Sequence, residues 1–342
     1  MQVYANFYWF IFVVIVVVFF HEMGHFIFAR LFGVKVYRFS VGMGPNLLKY
    51  KDSKGALWTL SIFPIGGFVK MKGGSILSND TESDSLASQS LIKKSIIVFG
   101  GPLANILLSL FIFFFIFYIF DPQFKSSTIK FLPEESYIYK VGMREGDTIL
   151  SVDSQDVGNF SDVIKGIFSN TNNYILFDVI RDGELLRFQL ARSINIFGNL
   201  EFWPNEIGFF SKITFSMSSS VTYCYKTAIQ MISGISDLLS GENSKDDIGG
   251  PLRIASYSMK AAHAGARSLF FFIAVFSMNL ALINLLPIPV LDGGQLAIYA
   301  IEGIKGSELS KKFKSILFGI GGIVVICIMF FAIFNDIRWL MS

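Results

Sequence analysis

Between Lys94 and Asp121 the chain runs through 26 residues without a charged side chain, SIIVFGGPLANILLSLFIFFFIFYIF. At 1.5 Å of rise per residue, a helix of that length crosses a hydrocarbon core about 30 Å thick. Three further stretches have the same character: from about Phe7 to Phe32, from about Leu269 to Leu286 with a continuation through PIPVLDGGQLAIYAI, and from Ile316 to Phe334. Water is absent at that depth, so each backbone amide and carbonyl must be satisfied within its own segment, and the runs are expected to be helices. The chain is 52% hydrophobic with a mean hydropathy of +0.54, which fits several spans with water-exposed mass between them. The expected fold class is a polytopic α-helical membrane protein with four transmembrane helices. No basic residue precedes the first run and no small-residue cleavage site follows it, so it reads as a span and not as a cleaved leader.

Loop charge predicts the orientation. Ten basic residues lie between Arg30 and Lys94, and Lys305, Lys311, Lys312 and Lys314 precede the last run. Both loops are therefore expected in the cytoplasm, with the long segment between the second and third spans, and both termini, outside. The net charge is only +3, and the basic residues are spread out, so nothing points to nucleic acid. Cys224 and Cys327 are too far apart in sequence to form a disulfide framework or a zinc knuckle.

The expected division is a first span in residues 1–34, a membrane-associated β region and loop in 35–92, and a second span in 93–121. A soluble α+β domain follows in 122–212, an amphipathic and linker segment in 213–267, a third span in 268–303, and a loop with the fourth span in 304–342. The β reading rests on NLLKYKDSKGALWTLSIFP, two apolar runs about a turn-forming KDSKG, followed by the paired glycines of IGGFVKM. In the soluble segment, strands flank an Asp-Gly turn in YILFDVIRDGELLRFQLA. Residues 213–240 carry apolar groups at helical spacing opposite a serine-rich face, which suits a helix lying on the membrane surface or one packed on protein.

One span contains an anomaly. Its HEMGH places His21, Glu22 and His25, two of the chain's three histidines, inside an apolar run. An ionisable residue at the bilayer centre costs at least about 2.5–3.5 kcal/mol, so such groups mark function more often than packing. Four residues apart on a helix, His21 and His25 reach one ion, and Glu22 can take a proton from a water held there. The chemistry implied is Zn²⁺-assisted hydrolysis of a carbonyl compound. A catalytic zinc usually has a third protein ligand. Asp292 in NLLPIPVLDGG is the better candidate, being the acid near the Pro287–Pro289 break and at a depth like that of His21; a helix cap is the other reading. Asn284, eight residues earlier, can hold a substrate backbone or a developing oxyanion, or bond to the broken helix itself. Gly100, Gly101, Pro102 and Asn105 read as a close-packed, slightly broken helix. Asn284, Pro287, Pro289 and Asn105 form the candidate substrate-binding set.

HEMGH, GGPLAN and NLLPIPVLDGG, in that order, resemble the site-2 protease family of intramembrane zinc metalloproteases, in its RseP-like (regulator-of-sigma-E protease) branch. VGMREGDTILSVD looks like the signature of that branch's extracytoplasmic PDZ domain, with room here for one copy where better-known members carry two. The resemblance implies His21, His25 and Asp292 as zinc ligands, Glu22 as base, and Asn284 beside the scissile bond. It implies that residues 35–75 form a β element presenting an edge strand to an unwound substrate. EIGFF resembles a carboxylate-binding loop, with Ile207, Gly208 and Phe209 in place. The implied activity is cleavage of single-span membrane proteins already cut outside, anti-sigma factors or signal-peptide remnants, in a bacterial inner membrane, with the PDZ domain and termini periplasmic and the active site towards the cytoplasm. The alternative is an inactive membrane scaffold working through its PDZ domain. A metal transporter with the same ligands would need polar groups along a full path, and the second and fourth spans offer few.

Overall fold

A computed structural model describes residues 7–75, 78, 80–120, 125–169, 172–191, 201–204, 208–240 and 249–341. The chain divides into two compact units, one of Met1–Phe113 with Ser220–Ser342 and one of Phe114–Ser219.

The first unit begins with α1 (Phe7–Leu31) and a β element, β1 (Val36–Lys51) and β2 (Leu57–Met71), then α2 (Leu91–Phe120), which runs on into the second unit. The chain returns along α5 (Phe209–Ser240) to α6 (Pro251–His263), α7 (Ala266–Asn284), α8 (Asp292–Lys305) and α9 (Lys311–Met341). Among the described residues, α1, α2, α7 and α9 are the four helices long and apolar enough to cross a membrane. The apolar stretch that continues beyond Leu286 is not one helix: α7 stops at Asn284, and α8 starts afresh at Asp292. Pro287 and Pro289 lack the amides a continuous helix needs. The glycines after Asp292 let the new helix fold onto the break, since a side chain at Gly293 would strike the Leu286 carbonyl and one at Gly294 the Ile288 carbonyl.

The linker segment holds a second helix, α6, that the sequence reading of residues 213–267 does not include. Pro251 at its first position suits a helix start, but Gly250 offers no side chain to cap it. The cap comes from Asp336 on α9. Its Oδ1 accepts from the Gly250 amide at 2.8 Å and its Oδ2 from the Leu252 amide at 2.8 Å. No local pattern reports a cap supplied from 84 residues away.

The β element is more than a hairpin. Residues 46–51 of β1 pair with 57–61 of β2 in opposite directions. Residues 36–41 of β1 pair on one side with 67–71 of β2, also in opposite directions, and on the other with 57–60, where the register ascends in both. The order across the element is thus 67–71, 36–41, 57–61, 46–51, and the segment around Gly67–Met71 is one of its two edges. The bend between halves uses Gly42 at φ +82° and Gly44 at φ +88°. One face packs on α1, through Phe39, Val41, Trp58 and Val69 against Phe19, Phe26 and Val18. The turn at 52–56 is tied by Asp52, which accepts from the Ala56 amide at 2.8 Å and pairs with Arg30 at the end of α1 at 2.7 Å.

The second unit holds a six-stranded antiparallel sheet. Its strands are β3 (Lys125–Phe131), β4 (Thr148–Val152), β5 (Gln155–Asp156), β6 (Tyr174–Arg181), β7 (Glu184–Ala191) and β8 (Glu201–Pro204), with short α3 (Tyr137–Val141) and α4 (Phe160–Ser169). The order is β7-β6-β4-β3-β8, with β5 on β4. Alternate residues Ile175, Phe177 and Val179 of β6 point inward with Ile129, Ile149, Val163 and Leu190. Buried Asp147 takes a two-pronged contact from Arg181, at 2.6 and 2.7 Å. Phe160 of α4 stacks on Phe202 of β8, ring centres 4.2 Å apart.

Candidate metal centre

The site is built where α1 and α2 touch backbone to backbone. Gly24 and Gly100 face each other, and a Cβ on Gly100 would lie 2.8 Å from the Gly24 carbonyl oxygen. Such small-residue crossings give spans contact that lipid does not supply. The next residue, Gly101, provides the space for both imidazoles: a side chain there would run into His25 Nε2 and His21 Cε1.

Asp292, the first residue of α8, brings its carboxylate to the same point. His21 Nε2 lies 3.2 Å from Asp292 Oδ2, His25 Nε2 3.5 Å from it, and the two Nε2 atoms 3.3 Å from each other. His21 is buried, and His25 and Asp292 nearly so. The cap of α8 is Leu291, and no side chain makes a capping bond there, so the carboxylate is not spent on the helix. Asp292 Oδ2 is buried without a hydrogen-bond partner. Three donors at these spacings match the edges of a tetrahedron, which for ligands about 2.0–2.1 Å from zinc are roughly 3.3–3.4 Å long. The donor set, two imidazoles and a carboxylate, is also one that zinc takes at catalytic sites. Sequence, burial, the orphaned oxygen and the spacing all fit the ion.

The outer contacts come from one stripe of α2. Ile97, Gly101 and Asn105 are four residues apart and share a face. The Ile97 carbonyl accepts from His25 Nδ1 at 2.9 Å, which turns Nε2 towards the cluster. Asn105 sits against His21 Nδ1 at 3.5 Å and is wholly buried. Its side chain therefore faces His21 from a buried position. Its carbonyl accepts from Ser277 of α7 at 3.0 Å, which pins α2 to α7 at this level.

Glu22 is buried beside the cluster, and its Cγ occupies the place where Gly67 would carry a side chain, 2.8 Å from that position. The edge segment of the β element thus runs directly past the glutamate. Sequence reading noted the paired glycines but not their neighbour; nothing local in IGGF reports a contact with residue 22. Asn284 ends α7 half-exposed, and its side chain makes no hydrogen bond among the described residues. Pro287 is exposed in the break, while Pro289 packs against Gly321 of α9. In the second unit Ile207 lies outside the described residues. Gly208 and Phe209 stand at the head of α5, both exposed, and Phe209 is its first helical residue.

Residues 9–328 match the family described as Peptidase family M50. A relative from Agrobacterium fabrum, named as a candidate zinc metalloprotease, is 33% identical over 97% of this chain and 96% of its own length. One of the same description from Rickettsia conorii is 32% identical, covering 97% and 98%. Another from Campylobacter jejuni is 31% identical, covering 94% and 90%.

Proposed function

The chain belongs to peptidase family M50 and is a membrane zinc metalloprotease; from that premise we propose that it cuts peptide bonds inside the transmembrane segments of single-span proteins, after a first cut outside. The observation that carries this reading is the assembly of His21, Glu22 and His25 of an apolar helix with Asp292 at the head of α8, and a sheet edge beside Glu22. In a soluble hydrolase neither the apolar surroundings nor the edge would be needed.

His21, His25 and Asp292 would hold the zinc, which would supply Lewis-acid chemistry at a water and at the scissile carbonyl. Glu22, buried beside the three donors, would act as general base, accepting a proton from the attacking water and delivering it to the leaving amide nitrogen. The substrate presents a particular difficulty: a transmembrane helix hides its carbonyls in its own hydrogen bonds. The edge near Gly67 supplies replacement partners, so an unwound strand added there keeps its backbone satisfied and places a carbonyl near Glu22. The unspent amide of Asn284 at the end of α7 holds that carbonyl or the oxyanion it becomes.

The loop charges support a β element and an α8–α9 turn on the cytoplasmic side, with residues 122–212 outside, and the resemblance to the RseP-like branch supports a bacterial inner membrane. The second unit is read as the single PDZ domain of an RseP-like member. Its edge strand β8, where a peptide would add, already has Phe202 stacked on Phe160 of α4. This favours a domain that excludes bulky external segments over one that captures a chain end through Gly208 and Phe209.

The test is release of a shortened fragment from a tagged single-span substrate, trimmed outside, in cells with the native chain or Glu22→Gln. Cleavage by the native chain alone supports the reading. No cleavage by either, with both folded and zinc-loaded and across a panel of trimmed substrates, favours a scaffold.

A further inference from the structure

We infer that Asn105 is the positioning residue for His21: its amide oxygen accepts the His21 Nδ1 proton and holds the ring for metal binding. The inference rests on the zinc-site reading and extends it to a residue outside the ligand set.

The argument begins with the proton. His21 Nε2 is the nitrogen that faces Asp292 and His25. An imidazole that gives the Nε2 lone pair to a metal is neutral and carries its hydrogen on Nδ1. That N–H is buried, so it needs an acceptor. The atom placed opposite it, 3.5 Å away, is Asn105 Nδ2, itself a donor. Two N–H groups facing each other repel. At the same time Asn105 Oδ1 is buried and has no partner.

One half-turn of the amide answers both facts. The two ends of an asparagine amide have nearly the same shape, and which end points where follows from the hydrogen bonds available. With the oxygen towards His21, the Nδ1 proton gains its acceptor and the oxygen is no longer stranded.

His25 provides an internal comparison. Its Nδ1 bonds to the Ile97 carbonyl at 2.9 Å, an acceptor by necessity. Ile97 and Asn105 lie on one stripe of α2, either side of Gly101. The same helix therefore orients both histidines, one through its backbone and one through a side chain. Asn105 is well placed to do so, because it is wholly buried and its own carbonyl is fixed by Ser277 of α7. The same burial keeps it away from substrate.

The experiment compares zinc affinity, by chelator competition on purified protein, and the absorption spectrum of the cobalt-substituted form. The variants are Asn105→Leu, which keeps the volume and removes the acceptor, and Asn105→Asp, which keeps an acceptor and removes the amide nitrogen. Loss of an outer partner of this kind typically lowers metal affinity about 10- to 100-fold. Asn105→Leu is expected to fall by that amount with an altered cobalt spectrum, and Asn105→Asp to bind at least as tightly as the native chain. Native affinity in a folded Asn105→Leu overturns the inference. So does a fall in Asn105→Asp, which decides the matter even where the leucine variant does not fold. A native chain that binds no zinc would instead overturn the metal-site reading itself.

Discussion

At the scale of single residues, the site depends on side chains that are absent. Gly101 and Gly67 are both places where a methyl group would collide with the proposed site, at Gly101 with the two imidazoles and at Gly67 with Glu22. Gly101→Ala pushes on the two imidazoles, so it is expected to lower bound zinc and cleavage together. Gly67→Ala pushes on Glu22 and the strand edge, and is expected to cut cleavage at least tenfold while zinc content stays near native. Metal analysis beside a cleavage assay separates the two, and a parallel loss of zinc in Gly67→Ala would show that the edge supports the ligands and not the base. Asp292→Ala removes one of three donors and should lower zinc content outright.

At the scale of elements, the informative feature is a helix started by another helix. Asp336 of α9 satisfies the first amides of α6, at Gly250 and Leu252, which have no partner within their own helix. Caps of this kind contribute about 1–2 kcal/mol, and burial of the unsatisfied amides adds to the loss. Asp336→Ala is expected to lower the thermal midpoint in detergent and to expose the segment around Pro251 to limited proteolysis. Unchanged protection of that segment would mean that the packing of α6 on α1 and α7 suffices without the cap. The β element shows the same dependence on distant partners. Its turn at KDSKG is local, but the pairing of residues 36–41 with two segments of β2 follows from packing on α1.

At the scale of the whole molecule, the proposal fixes which side of the membrane each part occupies. A cysteine placed at exposed Glu184, in the second unit, is expected to react with a membrane-impermeant thiol reagent on intact spheroplasts, in a chain cleared of Cys224 and Cys327. One placed at exposed Lys305, at the end of α8, should react only after the membrane is opened. The reverse pattern would overturn the loop-charge reading. A strong chelator should abolish cleavage, and zinc should restore it; activity that survives complete metal removal would be incompatible with the mechanism.

Much of this protein follows from the sequence alone, because in a bilayer the constraints are severe and local. Length and apolarity pick out the four candidate spans, since a helix satisfies its backbone within one segment. Histidines four apart with a glutamate between them stand out because nothing else pays for such groups at that depth. The proline break and the acid after it point to a third ligand. What tertiary structure alone decides is which groups meet: the stripe of α2 under the two imidazoles, Gly67 beside Glu22, Asn105 at His21, Asp336 at the head of α6. These contacts join residues 45 to 86 positions apart, as from Glu22 to Gly67 and from Gly250 to Asp336. No periodicity encodes them, because they arise from how close two helices or a helix and a strand can approach once each has formed.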